Sequence, residues 1–399
     1  MTLRQATLNF AIIFLCFIAV GCNTTSVKIA KHKEVILETG KAPGELLDVG
    51  IGIFTPGVDI ISAEKEGVHP KIREAETQFM PYKLMETLQN SGNWGVVQII
   101  PDRLNEMDVW VAAEILKSDG ENLGLLVTVE DARGRRWFSR KYTETVNRHS
   151  YGRATTKRTE PFQKTYNQIA NDLFAYRSQF DNSEVKTIRA ISELKFAKDF
   201  FPDVFNDYLE LDDRGRHLVR RLPAENDPIL LGVRQVRRHC YTFINGLQRY
   251  YASFVDRIEV PYLEWREAFY LENQELKEVR SEANAALIGG LLLAALGGAL
   301  VHQNADRESV ETGLDGMELG TRAVGSALEK RRQAKEKHAA TTDGFSVSLA
   351  SKIAPHSQNL EGRTVTLSDA LKKQYDQWRR KLKKVYEMET GKHLGHDSP

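Results

Sequence analysis

Residues 123–143, LGLLVTVE-DARGR-RWFSRKYT, decide the fold of the first half of the chain. Leu123 to Glu130 and Arg136 to Thr143 are strand-length runs rich in Leu, Val, Thr and aromatic residues. Between them stands Ala132-Arg133-Gly134, a turn word with glycine where the chain must reverse. Two such runs around such a turn read as an antiparallel hairpin. Working outward, Val109 to Leu116 (VWVAAEIL), Trp94 to Ile100 (WGVVQII) and Leu46 to Phe54 (LLDVGIGIF) read as further strands. Pro81 is expected to open a short helix with Leu84, Met85 and Leu88 on one face, ended by Asn90-Ser91-Gly92. The predicted order is a strand, a helix, then four strands. Asn147 to Glu160 reads as a polar, basic linker. Pro161 then opens a helix with Phe162, Tyr166, Ile169 and Leu173 on one face, which closes this domain or begins the next.

The first 45 residues read differently. Leu8 to Val20 is a 13-residue stretch with one polar member, Asn9. It is too short to span a bilayer comfortably and suits the apolar part of a signal peptide. It runs into Ala19-Val20-Gly21-Cys22. This resembles the bacterial lipobox, with Ala19 where that motif usually has Leu or Val. The resemblance implies removal of residues 1–21, lipid on Cys22, and a palmitate-bearing mature N-terminus. Several acyl chains hold a protein at a membrane far more firmly than one. Asn23, rather than Asp, follows the cysteine, which by analogy implies outer-membrane sorting with the chain facing the periplasm. Asn23 to Glu45 is then a tether. Cys16 would leave with the signal, so Cys240 has no cysteine to pair with inside the chain and reads as a buried thiol.

The α/β segment also carries a resemblance. Leu88 to Val97 (LQNSGNWGVV), Asp108 to Val111 (DVWV) and Leu125 to Gly134 match the local pattern of a group of envelope lipoprotein domains. The group includes the curli-secretion lipoprotein, the N-terminal domain of TolB, lipoprotein activators of penicillin-binding proteins, and auxiliary lipoproteins of ABC-type lipid transporters. The likeness covers about 100 residues, and its words are structural rather than catalytic.

Beyond residue 184 the pattern turns helical. Ile229, Val233, Val236, Cys240, Phe243, Leu247, Tyr250 and Phe254 recur at alternating spacings of four and three. Pro261 is expected to interrupt this seam. Tyr262, Trp265, Phe269, Leu276, Val279, Ala283, Ala286, Gly290, Leu293 and Gly297 then keep the rhythm. A long antiparallel helical hairpin follows as the expectation, preferred over a coiled coil between chains. Inside it lies Ala285 to Val301 (AALIGGLLLAALGGALV), 17 residues with no polar side chain. Ala286, Gly290, Ala294 and Gly298 stand four apart and line one stripe of a helix, as small residues do where two backbones approach closely. Gly316 and Gly320 form a second small stripe. Three readings stay open: pairing of the two stripes within the chain, a homo-oligomer, or insertion into a membrane. Near the C-terminus, Phe345 to Leu349 and Arg363 to Leu367 alternate with period two and are expected to pair as strands. Ser368 caps a last helix.

The expected organisation is a signal peptide (1–21), a lipidated tether (22–45), a small α/β sandwich domain (46–177), a helical bundle (184–340) with a glycine-zipper-like apolar helix, and a C-terminal strand pair and helix (341–392). The class is α+β. Charges balance, with 55 Lys+Arg against 54 Asp+Glu, so nothing points to nucleic acid. No G-x-S-x-G, phosphate loop or metal-ligand spacing is present. No cofactor, metal or catalytic residue is expected. The expectation is a non-enzymatic envelope lipoprotein that binds or scaffolds a periplasmic protein partner. The alternative is a component of an outer-membrane secretion or lipid-transport complex, oligomeric and membrane-inserting.

Overall fold

In the computed structural model, strand β1 (Val49–Gly52) lies between β2 (Val97–Ile100) and β3 (Val109–Ser118), parallel to both. Strands β4 (Asn122–Asp131) and β5 (Arg136–Thr145) continue the sheet antiparallel, giving the order β2-β1-β3-β4-β5. The structure describes residues 46–57, 70–101, 103, 107–151, 160–224, 226–303, 307–353, 358–360, 363–365 and most of 373–384. Side chains at 296–313 and 351–372 are outside this description, as are Cys22 and the tether.

The alternation read from the sequence sets the sheet's faces. Val109, Val111, Ala113 and Ile115 on β3, and Leu123, Leu125, Val127 and Val129 on β4, all turn to one buried face. Two helices cover that face, α1 (Pro70–Ser91) and α2 (Gln163–Arg177). Phe162, Tyr166, Ile169 and Leu173 are fully buried there, so this helix closes the α/β layer. The helix expected to start at Pro81 starts at Pro70 instead and carries Pro81 inside it. An interior proline costs about 3 kcal/mol. The turns before it compensate by burying Ile72, Ala75, Phe79 and Met80. The β4–β5 turn is built by Asp131, whose carboxylate accepts from the Arg133 and Arg135 amides, the Arg133 guanidinium and the Trp137 indole. Gly134 supplies the positive φ of 83°.

Helix α3 (Asn182–Phe200), capped by Asp181, leads through a short α4 (Pro202–Phe205) to a small hairpin of β6 (Leu209–Leu211) and β7 (His217–Val219). Two long helices follow. Helix α5 (Pro228–Gln303) has 76 residues and α6 (Arg307–Ile353) has 47. Pro261 does not interrupt α5. The residues just past it, Tyr262, Leu263, Trp265, Arg266 and Phe269, are all buried, and that burial outweighs the local cost. The expected seam holds at Val233, Val236, Cys240, Leu247 and Phe254, but the register slips by one at Tyr250, which is exposed while Tyr251 is buried. The helices pair antiparallel. Trp265 meets Ser346, Glu272 meets His338, Glu275 meets Lys337, and Gly290 meets Gly320.

The C-terminal expectation needs correction. Phe345 to Leu349 is not a strand but the last part of α6. Thr342, Ser346, Leu349 and Ala350 are buried at helical spacing, so packing on α5 overrides the two-residue alternation. Strand β9 (Arg363–Val365) does form, and pairs with β8 (Gln358–Leu360). The boundary expected near 177–184 is likewise no break in packing. One contiguous core runs from Leu47 through Phe196 and Tyr251 to Trp265.

That core contains charge. Arg266 on α5 is completely buried, and its Nη1 donates to Glu160 Oε1 at 2.5 Å. The guanidinium lies 4.2 Å from the Tyr262 ring centre and 5.0 Å from that of Phe162. Burial alone would lower its pKa; Glu160, with the Tyr262 and Tyr166 hydroxyls, outweighs this and holds it well above the ordinary value. Next to it, Glu76 Oε1 accepts from the Tyr262 and Ser118 hydroxyls, and its Oε2 pairs with Arg73 at 3.1 Å. Removing one partner of a buried pair costs about 3–5 kcal/mol because the other charge is left behind. Arg266→Met should therefore lower unfolding stability by about that much in urea titration. Adding Glu160→Gln should recover most of the loss; no recovery would mean that the arginine contributes packing rather than pairing.

Candidate functional site

The sheet has two edges, and the structure treats them differently. At β2 the edge is closed by α5. The Ile99 amide donates to Gln248 Oε1 at 3.0 Å, and Gln248 Nε2 donates back to the Ile99 carbonyl at 2.9 Å. The glutamine amide thus occupies the place of a neighbouring strand's peptide group. Beside it, Gln98 Nε2 donates to Asn245 Oδ1 at 2.6 Å. An edge satisfied this way cannot recruit another strand without displacing α5.

The β5 edge is different. β5 is ten residues long and ends the sheet. Its inner side is tied to α2: Arg140 and Tyr142 donate to Asp172 Oδ2 at 2.5 and 2.8 Å, and Thr165 donates to Glu144. Burial pushes the Tyr142 phenol well up, and Asp172 adds to the effect, so it stays a donor. Ser139, Lys141, Thr143 and Thr145 on the other side are exposed. The result is a strand tied down on its inner side, with no further strand paired beyond it among the described residues, and blunted against indiscriminate pairing by charged side chains.

A feature not anticipated from sequence joins this region. The word Asp-x-Arg-Gly-Arg occurs twice, at 131–135 and 212–216. Asp212 accepts from the Arg214 and Arg216 amides and the Arg216 guanidinium; Asp131 accepts from the two matching amides but from the guanidinium of Arg133. Gly215 has φ 72°. The two turns touch, the His217 amide donating to the Arg133 carbonyl at 2.8 Å. Burial, with Lys195 and Lys198, lowers the His217 pKa; burial, with Arg103, lowers that of Lys195. The repeated word was the available signal.

The small-residue stripes meet in part. A side-chain carbon at Gly290 would stand 2.8 Å from the Gly320 carbonyl oxygen. One at Gly320 would stand 2.5 Å from the Gly290 carbonyl oxygen and 2.6 Å from the Ala294 nitrogen. Here α5 and α6 touch backbone to backbone, a contact that only glycine permits. Ala283 and Ala327 are buried along the same contact and Ala294 is half-buried. Ala286 is exposed and Gly316 is half-buried; Gly298 falls where only the helical backbone is described. The large apolar residues point away: Ile288, Leu291, Leu292 and Leu293 on α5, with Leu314, Met317, Leu319 and Leu328 on α6, are all exposed. Among the described residues, no helix is long and apolar enough to cross a membrane. No group of acidic, histidine or cysteine side chains among them could hold a metal ion.

Gly289, by contrast, has open space where a side chain would go. Gly320→Leu should push the helices apart at a cost of about 1–3 kcal/mol. Gly289→Ala should stabilise the helix by about 0.5–1 kcal/mol. Amide hydrogen exchange over 285–295 and 316–327 reads both. Equal protection in the two variants would remove the close crossing as a structural requirement.

Compared with protein-family models, with curated proteins and with solved structures, the chain gives no match in any of the three.

Proposed function

We propose that this is a non-enzymatic, lipid-anchored protein of the bacterial cell envelope, whose α/β layer binds a periplasmic protein partner along β5. In this reading residues 46–177 are a small α/β sandwich of the envelope-lipoprotein type, and the helical part braces it. The observation that carries the binding role is the asymmetry of the edges. One margin of the sheet is sealed by a dedicated glutamine, and the other, tied to α2 on its inner side, carries no further strand among the described residues. Strand addition to such a margin supplies main-chain hydrogen bonds for affinity and side-chain contacts for choice of partner. The anchor rests on the lipobox-like Ala19 to Cys22. The exposed leucines of the hairpin favour a second reading, a membrane-inserting, oligomeric component of a secretion or lipid-transport complex.

Both halves of the main reading can be tested in cells. With alkyne-palmitate labelling, the parent should take the label and fractionate with outer membrane, and Cys22→Ser should do neither. A photo-crosslinking residue at Lys141 on β5 should give a discrete protein adduct, and one at exposed Lys186 on α3 should not. An unlabelled parent would overturn the anchor. Adducts no stronger at 141 than at 186 would overturn the edge.

A further inference from the structure

Beyond the α/β layer, the hairpin formed by α5 and α6 is built the wrong way round for water. The hydrogen bonds from α5 to the α/β layer reach as far as Lys277, which pairs with Glu121. Past that point α5 continues to Gln303, about 39 Å of helix. Between Ala283 and Ala295, Gly290 and half-buried Ala294 meet Gly320, Ala323 and Val324 of α6, while Ile288, Leu291, Leu292 and Leu293 are exposed. A water-soluble bundle buries its large side chains between its own helices. Helices in lipid do the reverse, because hydrocarbon outside is as apolar as leucine and only close packing holds them together.

The direction of the exposed residues decides between possible occupants. With Gly290 at the centre of the face turned to α6, Leu291, Ile288, Leu292 and Leu293 fall at roughly 100°, 160°, 200° and 300° around α5. These four are 50–63% exposed, so the apolar surface wraps the whole outside of the helix. With Gly320 as the centre on α6, Met317, Leu328 and Leu314 fall at roughly 60–120° on one flank, and Leu319 at about 260° on the other. Exposed Glu318, Glu329, Arg322 and Asp315 fall at roughly 160–220°, directly behind the contact. Arg322 and Glu318 pair there at 2.5 Å. Around the Gly290–Gly320 crossing, over residues 286–295 of α5 and 314–320 of α6, the described surface is thus apolar except for one polar strip along the back of α6; nearer the α/β layer, exposed Lys330 and Arg332 return charge to its flanks. A second copy packed through one face would leave one flank in water. A bilayer surface covers α5 and both flanks together and leaves the strip in the headgroups.

We propose that the α5–α6 hairpin around the Gly290–Gly320 crossing lies in the membrane interface, with α5 sunk into the acyl-chain boundary and the back of α6 facing water. It does not cross the bilayer, since the charges on α6 forbid that. This contact is separate from lipid on Cys22 and from the β5 margin, and does not depend on either.

The test uses the full chain carrying one added cysteine, Leu292→Cys, Leu319→Cys or Glu318→Cys, labelled with an environment-sensitive fluorophore. The unaltered chain, labelled in the same way, gives the background from its own cysteines, Cys16, Cys22 and the buried Cys240. Vesicles of phosphatidylethanolamine and phosphatidylglycerol are used, with and without bromine along the acyl chains. At 292 and 319 the emission should move to shorter wavelength and be lost to the brominated lipid. At 318 it should do neither. Water-like emission at 292 and 319 would overturn the proposal. A shift at 292 that brominated lipid does not quench would also overturn it, and would assign the surface to a second copy.

Discussion

The structure depends on how α5 is held against the α/β layer. Where the helix passes the β3–β4 turn, a side chain at Gly120 would overlap the Arg266 carbonyl oxygen and stand 2.5 Å from the Tyr270 nitrogen. The turn and the helix therefore meet as bare backbone. At that level the Arg266 guanidinium turns inward to Glu160 and lies over the Tyr262 and Phe162 rings. A buried ion pair is a poor source of net stability, because desolvating two charges offsets most of their attraction. It is a strict constraint on position, since neither charge tolerates losing the other. Glu160 leads into α2 and Tyr262 meets Glu76 of α1, so Arg266 and Tyr262, one turn apart on α5, together address both helices that cover the sheet.

Once α5 is placed, other features follow along its length. Tyr241 donates to Asp48 Oδ2 at the start of β1, and Gln248 closes the β2 edge. Asp48 in turn accepts the Val96 amide, and its own amide donates to Asp108 before β3. Asp108 is fully buried; desolvation raises its pKa, against the pull of Arg237 on α5. The N-terminal ends of three parallel strands are thus gathered by two carboxylates that α5 covers. The same helix then leaves the sheet and carries the hairpin.

Much of this was legible in the sequence. Strands β3, β4 and β5 and the Gly134 turn stand where the alternation and the turn word put them, because one buried face imposes a period of two. The helical hairpin was legible from its three-and-four rhythm. Three features were not. Pro81 and Pro261 sit inside helices because buried residues nearby outweigh a local preference. Phe345 to Leu349 alternates like a strand but is claimed by the surface of α5. The buried pairs could not be found at all, since Arg266 and Glu160 stand 106 residues apart and only the fold brings them together. For the hairpin, composition marked Gly290 and Gly320 as close-contact residues, but only the fold brings them together while Ala286 stays exposed.

The two ends of α5 obey opposite rules, and the contrast is the strongest physical argument about what the molecule does. Between Leu230 and Phe269 the helix buries valine, leucine, tyrosine, tryptophan and one arginine, and any surface left over is charged or polar at most positions. Between Ala283 and Ala295 it buries almost nothing larger than alanine and turns isoleucine and leucine outward. A helix selected only to brace the sheet would have no reason to change rule halfway. Four glycines in 17 residues each weaken a helix by about 1 kcal/mol relative to alanine. The crossing of Gly290 with Gly320 accounts for one of them inside the chain, and Gly289 faces open space. The outward leucines gain nothing from water. The proposed interfacial setting supplies an apolar surrounding for both, and in that reading the near half of α5 serves as the mount for the far half.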